Sequence, residues 1–158
     1  MKFNKVNQPS ISFFDFLPKD WKEVLIPQWD RLKTTSELYV IWNTNELVCM
    51  GIVFQKYLPN LSREEQAAWT NFKDALYIGY LYTVPKYRGK GMATQWFESL
   101  KKEYPNSTFW LAIEQPTLMK FYSKLGFHRY DSAHLPQHTQ EEWILYCTLD
   151  SEGDHPSL

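Results

Sequence analysis

No block of lysine or arginine marks this sequence: 17 basic residues stand against 18 acidic ones, for a formal charge of -1. A nucleic-acid partner leaves a basic footprint, so DNA and RNA binding are disfavoured. Cysteine is scarce. Cys49 and Cys147 offer no zinc-ligand spacing, and each sits in an apolar run. Both read as small buried residues of a reduced compartment, with an inter-strand disulfide as the alternative. Long apolar runs are missing too. The longest uncharged one, residues 47–54, is too short to cross a membrane. Residues 1–15 contain Pro9 and no stretch of signal-peptide character. Neither repeat nor linker divides the 158 residues. These absences point to a cytoplasmic soluble protein, with one domain over residues 1–150 and a loose tail at 151–158.

Apolar residues, by contrast, make up 44% of the chain, enough for a packed core and against disorder. Rings supply 17% and are expected to carry much of the packing. Trp21, Val24, Leu25, Trp29 and Leu32 recur at helical spacing, and Pro18 and Pro27 cut that stretch into two short helices. Residues 37–42 and 47–55 read as a hairpin turning at Asn43-Thr44-Asn45. Ser62-Arg63-Glu64-Glu65 is a capping-box pattern opening a short helix that carries Ala68, Trp69 and Phe72. A long strand follows at 75–84, where Gly79 marks a bulge or a close backbone approach.

A basic, glycine-containing turn at 85–91 leads into a helix with Met92, Ala93, Trp96, Phe97, Leu100 and Tyr104 on one face, stopped by Pro105. Thr108–Ile113 is a strand. Pro116 opens a helix bearing Leu118, Phe121, Tyr122 and Leu125, and Gly126 ends it. Two strands close the chain at 127–132 and 143–149. The strand–helix–strand unit from 75 to 113 should be a right-handed crossover between parallel strands, and the hairpins should be antiparallel. The fold class expected is α/β, a mixed sheet with helices on its faces.

The chemistry is concentrated in Leu81-Tyr82-Thr83-Val84-Pro85-Lys86-Tyr87-Arg88-Gly89-Lys90-Gly91-Met92-Ala93. A strand ends, glycines turn the chain, and a helix begins. The first amides of a helix have no partner within it and carry partial positive charge, so they form an anion site. Gly89 and Gly91 remove side chains that would block a phosphate, while Arg88 and Lys90 add full charges. A diphosphate suits such a nest. The same residues would also serve a plain basic turn.

Residues 84–94 closely resemble the acetyl-CoA loop of the GCN5-related N-acetyltransferase (GNAT) superfamily. That signature is Arg or Gln, two residues, Gly, one residue, Gly or Ala, and Arg88, Gly91 and Ala93 meet it. A second family signature lies at Phe121-Tyr122-Ser123-Lys124-Leu125-Gly126-Phe127. The resemblance covers residues 37–149. It implies the GNAT fold: a mostly antiparallel mixed sheet, helices on both faces, and fourth and fifth strands that splay apart to admit the cofactor. It further implies that backbone groups of Leu81, Tyr82 and Thr83 line the pantetheine arm. Arg88, Gly89, Lys90, Gly91, Met92, Ala93 and Thr94 would hold the pyrophosphate of acetyl-CoA, the cosubstrate. Tyr122 matches the family's frequent general acid. No metal is implied.

In such a reaction a free amine attacks the thioester carbon, a backbone amide stabilises the charged oxygen, and the leaving thiolate takes a proton. Tyr122 is the candidate donor, although its apolar stripe with Leu118, Phe121 and Leu125 equally suits packing. The base is less plain. Many relatives carry a glutamate two residues before the position of Leu81, where this chain has Gly79. Glu114, at the end of the fifth strand, is the nearest candidate by sequence, with a water chain as the alternative. Gln115-Pro116 stands where many relatives place a cofactor-binding asparagine, with Gln115 as a substitute for that contact or Pro116 as a mainly structural helix start as the alternatives.

His128, His134 and His138 read as surface or acceptor-loop residues rather than metal ligands, since Pro136 breaks any helix that would align them. Trp21, Trp29, Trp69 and Phe72 are candidate walls of an acceptor site, against a reading of them as packing. The function expected is acetyl transfer to a primary amine of a small molecule or peptide, by a monomer or homodimer without nucleic-acid or membrane partners. The alternative is a non-catalytic acyl-CoA-binding or sensing module. A nucleotide-binding protein is weaker, because the phosphate-loop and dinucleotide patterns are absent.

Overall fold

In a computed structural model the described residues are 1–131 and 142–149. Among them, seven strands form one sheet: β1 (Lys2–Val6), β2 (Ser36–Asn43), β3 (Glu46–Phe54), β4 (Leu76–Thr83), β5 (Thr108–Ile113), β6 (His128–Tyr130) and β7 (Trp143–Thr148), in the order β1-β2-β3-β4-β5-β7-β6. β1/β2, β2/β3, β5/β7 and β6/β7 are antiparallel, and β4/β5 is parallel, as the crossover rule requires. Among the described residues five α-helices accompany them: α1 (Lys19–Leu25), α2 (Trp29–Leu32), α3 (Arg63–Trp69), α4 (Met92–Glu103) and α5 (Met119–Lys124). The mixed α/β sheet and its mostly antiparallel character are therefore as the sequence predicts. β1 is the addition. Its KFNKV sequence leaves Phe3 and Val6 half-buried, a polar pattern usual for an edge strand and easily read as coil.

The chain forms two compact units, Met1–Asn60 with Ile78–Lys102, and Leu61–Tyr77 with the described residues from Glu103 onward. In the first, hairpin β2/β3 turns at Thr44, which takes the left-handed φ of 58° that such a turn needs. α4 is seated on this hairpin by Trp96. Its indole is fully buried, donates from Nε1 to the Tyr39 carbonyl at 3.0 Å, and lies flat against Gly51, where any Cβ would overlap the ring. Phe3 stacks on Tyr39 at 5.3 Å and meets Trp96 edge-on at 6.4 Å, so the edge strand covers the same seat. Two short helices, α1 and α2, are joined by a 3-10 turn at Ile26–Gln28 that contains Pro27. Proline is accepted there because the start of the turn needs no amide donor.

The second unit is built around Trp110 of β5, which is fully buried. Phe72 stacks on it at 5.4 Å, Trp69 at 6.4 Å, and Tyr77 meets it edge-on at 4.7 Å. The capping box forms as predicted: Glu65 N–H donates to Ser62 Oγ at 3.2 Å, and Ser62 N–H to Glu65 Oε1 at 2.9 Å. β4 is registered with β5 at Leu76↔Phe109 and Tyr77↔Trp110. The sequence stripe on α5 is only partly buried: Leu125 is inside, Phe121 and Tyr122 are half-buried, and Leu118 is exposed. The predicted loop histidines His134 and His138 and the tail at 151–158 lie outside the described residues.

Candidate functional site

The glycine turn sits in the first unit, between β4 and α4. Pro85–Tyr87 make one 3-10 turn, and Arg88, Gly89, Lys90 and Gly91 are exposed. Gly89 (φ 76°) and Gly91 (φ 77°) both occupy left-handed backbone, which disfavours any side chain. A Cβ on either would meet nothing within 4 Å. The glycines thus shape the chain, and the space over them is open. The first helical bond of α4 runs from Gln95 N–H to the Gly91 carbonyl at 3.0 Å. The amides of Met92, Ala93 and Thr94 precede it and have no acceptor within the helix. Among the described residues no side chain caps them.

The charges of the turn divide by partner. Lys86 pairs with Glu46 (3.2 Å). That contact is the first cause holding the Glu46 carboxyl below its ordinary pKa and lifting that of Lys86. Arg88 and Lys90 have no carboxylate partner among the described residues. Arg88 donates from Nε to the Thr83 carbonyl at 3.0 Å, and its guanidinium lies 5.1 Å from the centre of the Tyr82 ring. Lys90 Nζ is 5.6 Å from the centre of the Tyr87 ring. Tyr87 anchors the whole turn. It is buried, its hydroxyl donates to Glu46 Oε2 at 3.0 Å, and it accepts from Asn43 Nδ2 at 2.9 Å. Asn43 and Glu46 flank the β2/β3 turn, a long-range tie with no signature in the local sequence.

Leu81, Tyr82 and Thr83 are half-buried along β4. The Thr83 hydroxyl donates to Cys49 Sγ at 3.4 Å, and burial pushes the Cys49 thiol up to about 11, so it stays protonated. Cys49 and Cys147 are both free and buried. The backbone irregularity expected at Gly79 falls one residue later: Tyr80, a bulky non-glycine residue, has φ 57°. A side chain in left-handed backbone costs ~1 kcal/mol and persists only where its surroundings impose it. Here Phe54 and Trp21 meet the Tyr80 ring edge-on at 6.2 and 6.0 Å, and Trp21 also meets Tyr82 at 5.9 Å.

Tyr122 and Glu114 belong to the second unit. Tyr122 meets Phe121 and Phe127 edge-on at 4.9 and 5.5 Å, and its carbonyl accepts the Leu125 and Phe127 amides, so backbone and ring are both fixed. Glu114 is exposed just after β5. It forms part of a group the sequence did not reveal, with Glu64, Glu65 and Glu142. Glu64 and Glu65 are 3% and 5% exposed, unusual for carboxylates. Glu64 bridges to Arg63 at 3.4 Å, and Glu65 accepts from the Tyr77 hydroxyl. Glu142 is half-buried. Its pKa is raised to about 7, first by loss of water and then by the charges of Glu65, Glu114 and Glu64, against a Ser62 hydrogen bond that lowers it.

Of the candidate acceptor walls, Trp29 is buried edge-on against Phe14 (4.9 Å), and Phe72 is buried on Trp110. Both are core. Trp21 and Trp69 are half-buried. His128 is exposed on β6, 5.8 Å from the Tyr146 ring centre. Among the described residues no helix is long and apolar enough to cross a membrane.

A family model described as an acetyltransferase (GNAT) domain matches residues 33–145. No functionally curated protein matches the chain. Solved structures do. An acetyltransferase from Bacillus subtilis in complex with CoA is 16% identical, with TM-score 0.60, over 94% of this chain and 98% of that one. A GNAT family acetyltransferase from Elizabethkingia anophelis with acetyl-CoA bound is 13% identical, with TM-score 0.59, over 94% and 97%. One from Staphylococcus aureus is 12% identical, with TM-score 0.61, over 94% and 99%. Likeness at these identities speaks for the fold.

Proposed function

The chain belongs to the GNAT acetyltransferase family, and from that premise we propose that it transfers the acetyl group of acetyl-CoA to a primary amine of a small molecule or peptide. The observation that carries the reading is the start of α4. There the amides of Met92, Ala93 and Thr94 lack helical acceptors behind two left-handed glycines with open space above them. Partial positive charge from those amides, with the uncommitted charges of Arg88 and Lys90, suits the cofactor's diphosphate. Gly89 and Gly91 present backbone to it. Leu81, Tyr82 and Thr83 would run beside the pantetheine arm. The left-handed Tyr80 supports this, because strained backbone in a strand is found where a chain must turn an amide toward a ligand.

In the reaction the amine lone pair attacks the thioester carbon, oxyanion charge builds next to β4, and the C–S bond breaks to release the thiolate. A backbone N–H donor stabilises that oxyanion most when it is already in place. Tyr122 would return a proton to the thiolate, since a phenol of pKa near ~10 is a competent donor to sulfur within hydrogen-bond reach. A second reading is favoured by Gly79: without the strand carboxylate found in many relatives, the chain would bind acyl-CoA and not turn it over.

Thermal unfolding with acetyl-CoA, CoA and ATP, followed by thiol release across primary amines, tests both. The first reading expects stabilisation by acetyl-CoA and CoA beyond that by ATP, and thiol release with at least one amine. Stabilisation without release from any amine would favour the second. No stabilisation by either coenzyme form would overturn both.

A further inference from the structure

The rings around Trp110 and those around Trp21 are arranged differently. Against Trp110, Phe72 and Trp69 stack at 16° and 29°, and Phe72 and Trp110 are buried. In the first unit, Trp21 of α1 meets Tyr80 of β4 at 6.0 Å and 76°, and Tyr82 at 5.9 Å and 74°. All three rings are half-buried, whereas Phe54, edge-on to Tyr80 at 6.2 Å, is fully buried. Edge-on rings leave one another's faces largely uncovered, so flat apolar area stays at the surface. Single exposed rings are commonplace, but three gathered at one place form a contact surface. The group is tied to the glycine turn through Arg88. Its guanidinium lies 5.1 Å from the Tyr82 ring centre, and its Nε donates to the Thr83 carbonyl at 3.0 Å.

We propose that Trp21, Tyr80 and Tyr82 hold the aromatic body of the acceptor, and that the group acetylated is a primary amine on a short chain from an arene. The assignment rests on the acetyltransferase reading above and names its acceptor class. With the diphosphate on the turn and the pantetheine arm beside Leu81, Tyr82 and Thr83, the arm runs back along β4 and its thioester arrives beside Tyr80. That residue carries the left-handed φ of 57°, and strained backbone gathers at ligand contacts. An amine that reaches the thioester therefore has the Trp21, Tyr80 and Tyr82 rings beside it. Charge then decides between acceptor classes. The cation over Tyr82 is the protein's own Arg88, which repels further ammonium groups at that ring and so disfavours a polyamine. A sugar amine would lose water from its hydroxyls against apolar ring faces. A neutral arene meets neither cost and gains ring contacts beyond the area it buries. Trp21 is the specificity-determining member, since α1 lies outside the strand that takes the cofactor.

The test is kcat/KM for thiol release from acetyl-CoA with tyramine, tryptamine and phenethylamine, set against propylamine, spermidine, glucosamine and a lysyl peptide. The aryl amines should exceed the others by about tenfold or more, the worth of a well-packed ring. Trp21→Ala should raise the KM for tyramine by about tenfold and reduce the aryl preference by about as much. Trp21→Leu, which keeps apolar volume without a ring, should lose the preference as well, and Trp21→Phe should restore most of it. Stabilisation of each variant by acetyl-CoA, equal to that of the wild type, shows that it is folded. Wild-type protein that uses propylamine, spermidine, glucosamine or the peptide as well as the aryl amines would overturn the assignment and leave the enzyme reading intact. Full aryl preference in folded Trp21→Ala or Trp21→Leu would do the same. Thiol release with no amine would overturn both.

Discussion

The Tyr87 hydroxyl donates to Glu46 Oε2 at 3.0 Å and so fastens the glycine turn to the β2/β3 hairpin. Asn43, on the other side of that hairpin turn, donates from Nδ2 to the Tyr87 hydroxyl oxygen at 2.9 Å. The start of α4 is thereby held from below by Tyr87 and along its length by Trp96. A site made of backbone amides depends on such supports, because its donors have no rotamers with which to adapt.

Removing the phenol tests this anchor. Tyr87→Phe keeps the ring and leaves Asn43 and Glu46 without their shared partner. Acetyl-CoA should bind about fivefold more weakly, the equivalent of one hydrogen bond. Calorimetric titration of the two proteins with acetyl-CoA reads the difference, and equal affinities would show that the turn needs no anchor.

Arg88→Ala should weaken acetyl-CoA binding by about ten- to a hundredfold, the range for a lost hydrogen bond to a charged group. Adding salt should narrow the gap between the two proteins, since exposed charges are screened. An affinity independent of Arg88 at low salt would count against its contact with the diphosphate.

Gly51→Ala should destabilise the first unit by about 1–3 kcal/mol, because its methyl must displace the Trp96 ring. The Trp96 indole is also held by the Tyr39 carbonyl, so it has little freedom to yield. Urea unfolding followed by tryptophan fluorescence measures the change. A variant as stable as the parent would show that α4 is loosely seated.

Much of this site is legible in the sequence because its signals are local. Arg88, Gly89 and Gly91 lie within four residues, and the left-handed φ of both glycines is a property of the residue type. The Ser62–Glu65 box is equally local and forms as read. Long-range features were not legible. The Glu46 and Asn43 contacts with Tyr87 cross more than forty positions. The left-handed backbone of Tyr80, whose ring meets Phe54 and Trp21, has no local signature beyond Gly79 beside it, which reads as a bulge or a close backbone approach. Glu142 follows another acid and precedes an apolar strand, a pattern usual for a solvated strand end. Only folding brings Ser62, Glu65 and Glu114 to it.

Glu142 also predicts how stability depends on pH. Its folded-state pKa is raised, so the fold holds that proton more tightly than the unfolded chain does. Its favourable contribution is complete below the ordinary glutamate value and is lost as pH rises through about 7. Glu142→Gln, which never ionises, should therefore melt above the wild type at pH 8, with the gap closing toward pH 5. Glu46 has the opposite sign, but it is common to both proteins and cancels. A gap that does not change with pH would contradict the burial of this carboxyl.

Replacing Tyr122 by Phe separates chemistry from packing. The ring contacts with Phe121 and Phe127 survive in Tyr122→Phe, so acetyl-CoA should bind as before while kcat falls by about a hundredfold. Unchanged turnover would return Tyr122 to a packing role.

The most direct measurement follows the backbone amides of Gly89, Gly91, Met92, Ala93 and Thr94 by two-dimensional 15N–1H NMR, as acetyl-CoA and then acetyl-pantetheine are added. Amides that donate to a diphosphate shift downfield with acetyl-CoA and stay in place with acetyl-pantetheine, which lacks it. Resonances unmoved by saturating acetyl-CoA, or moved equally by both compounds, would contradict the account.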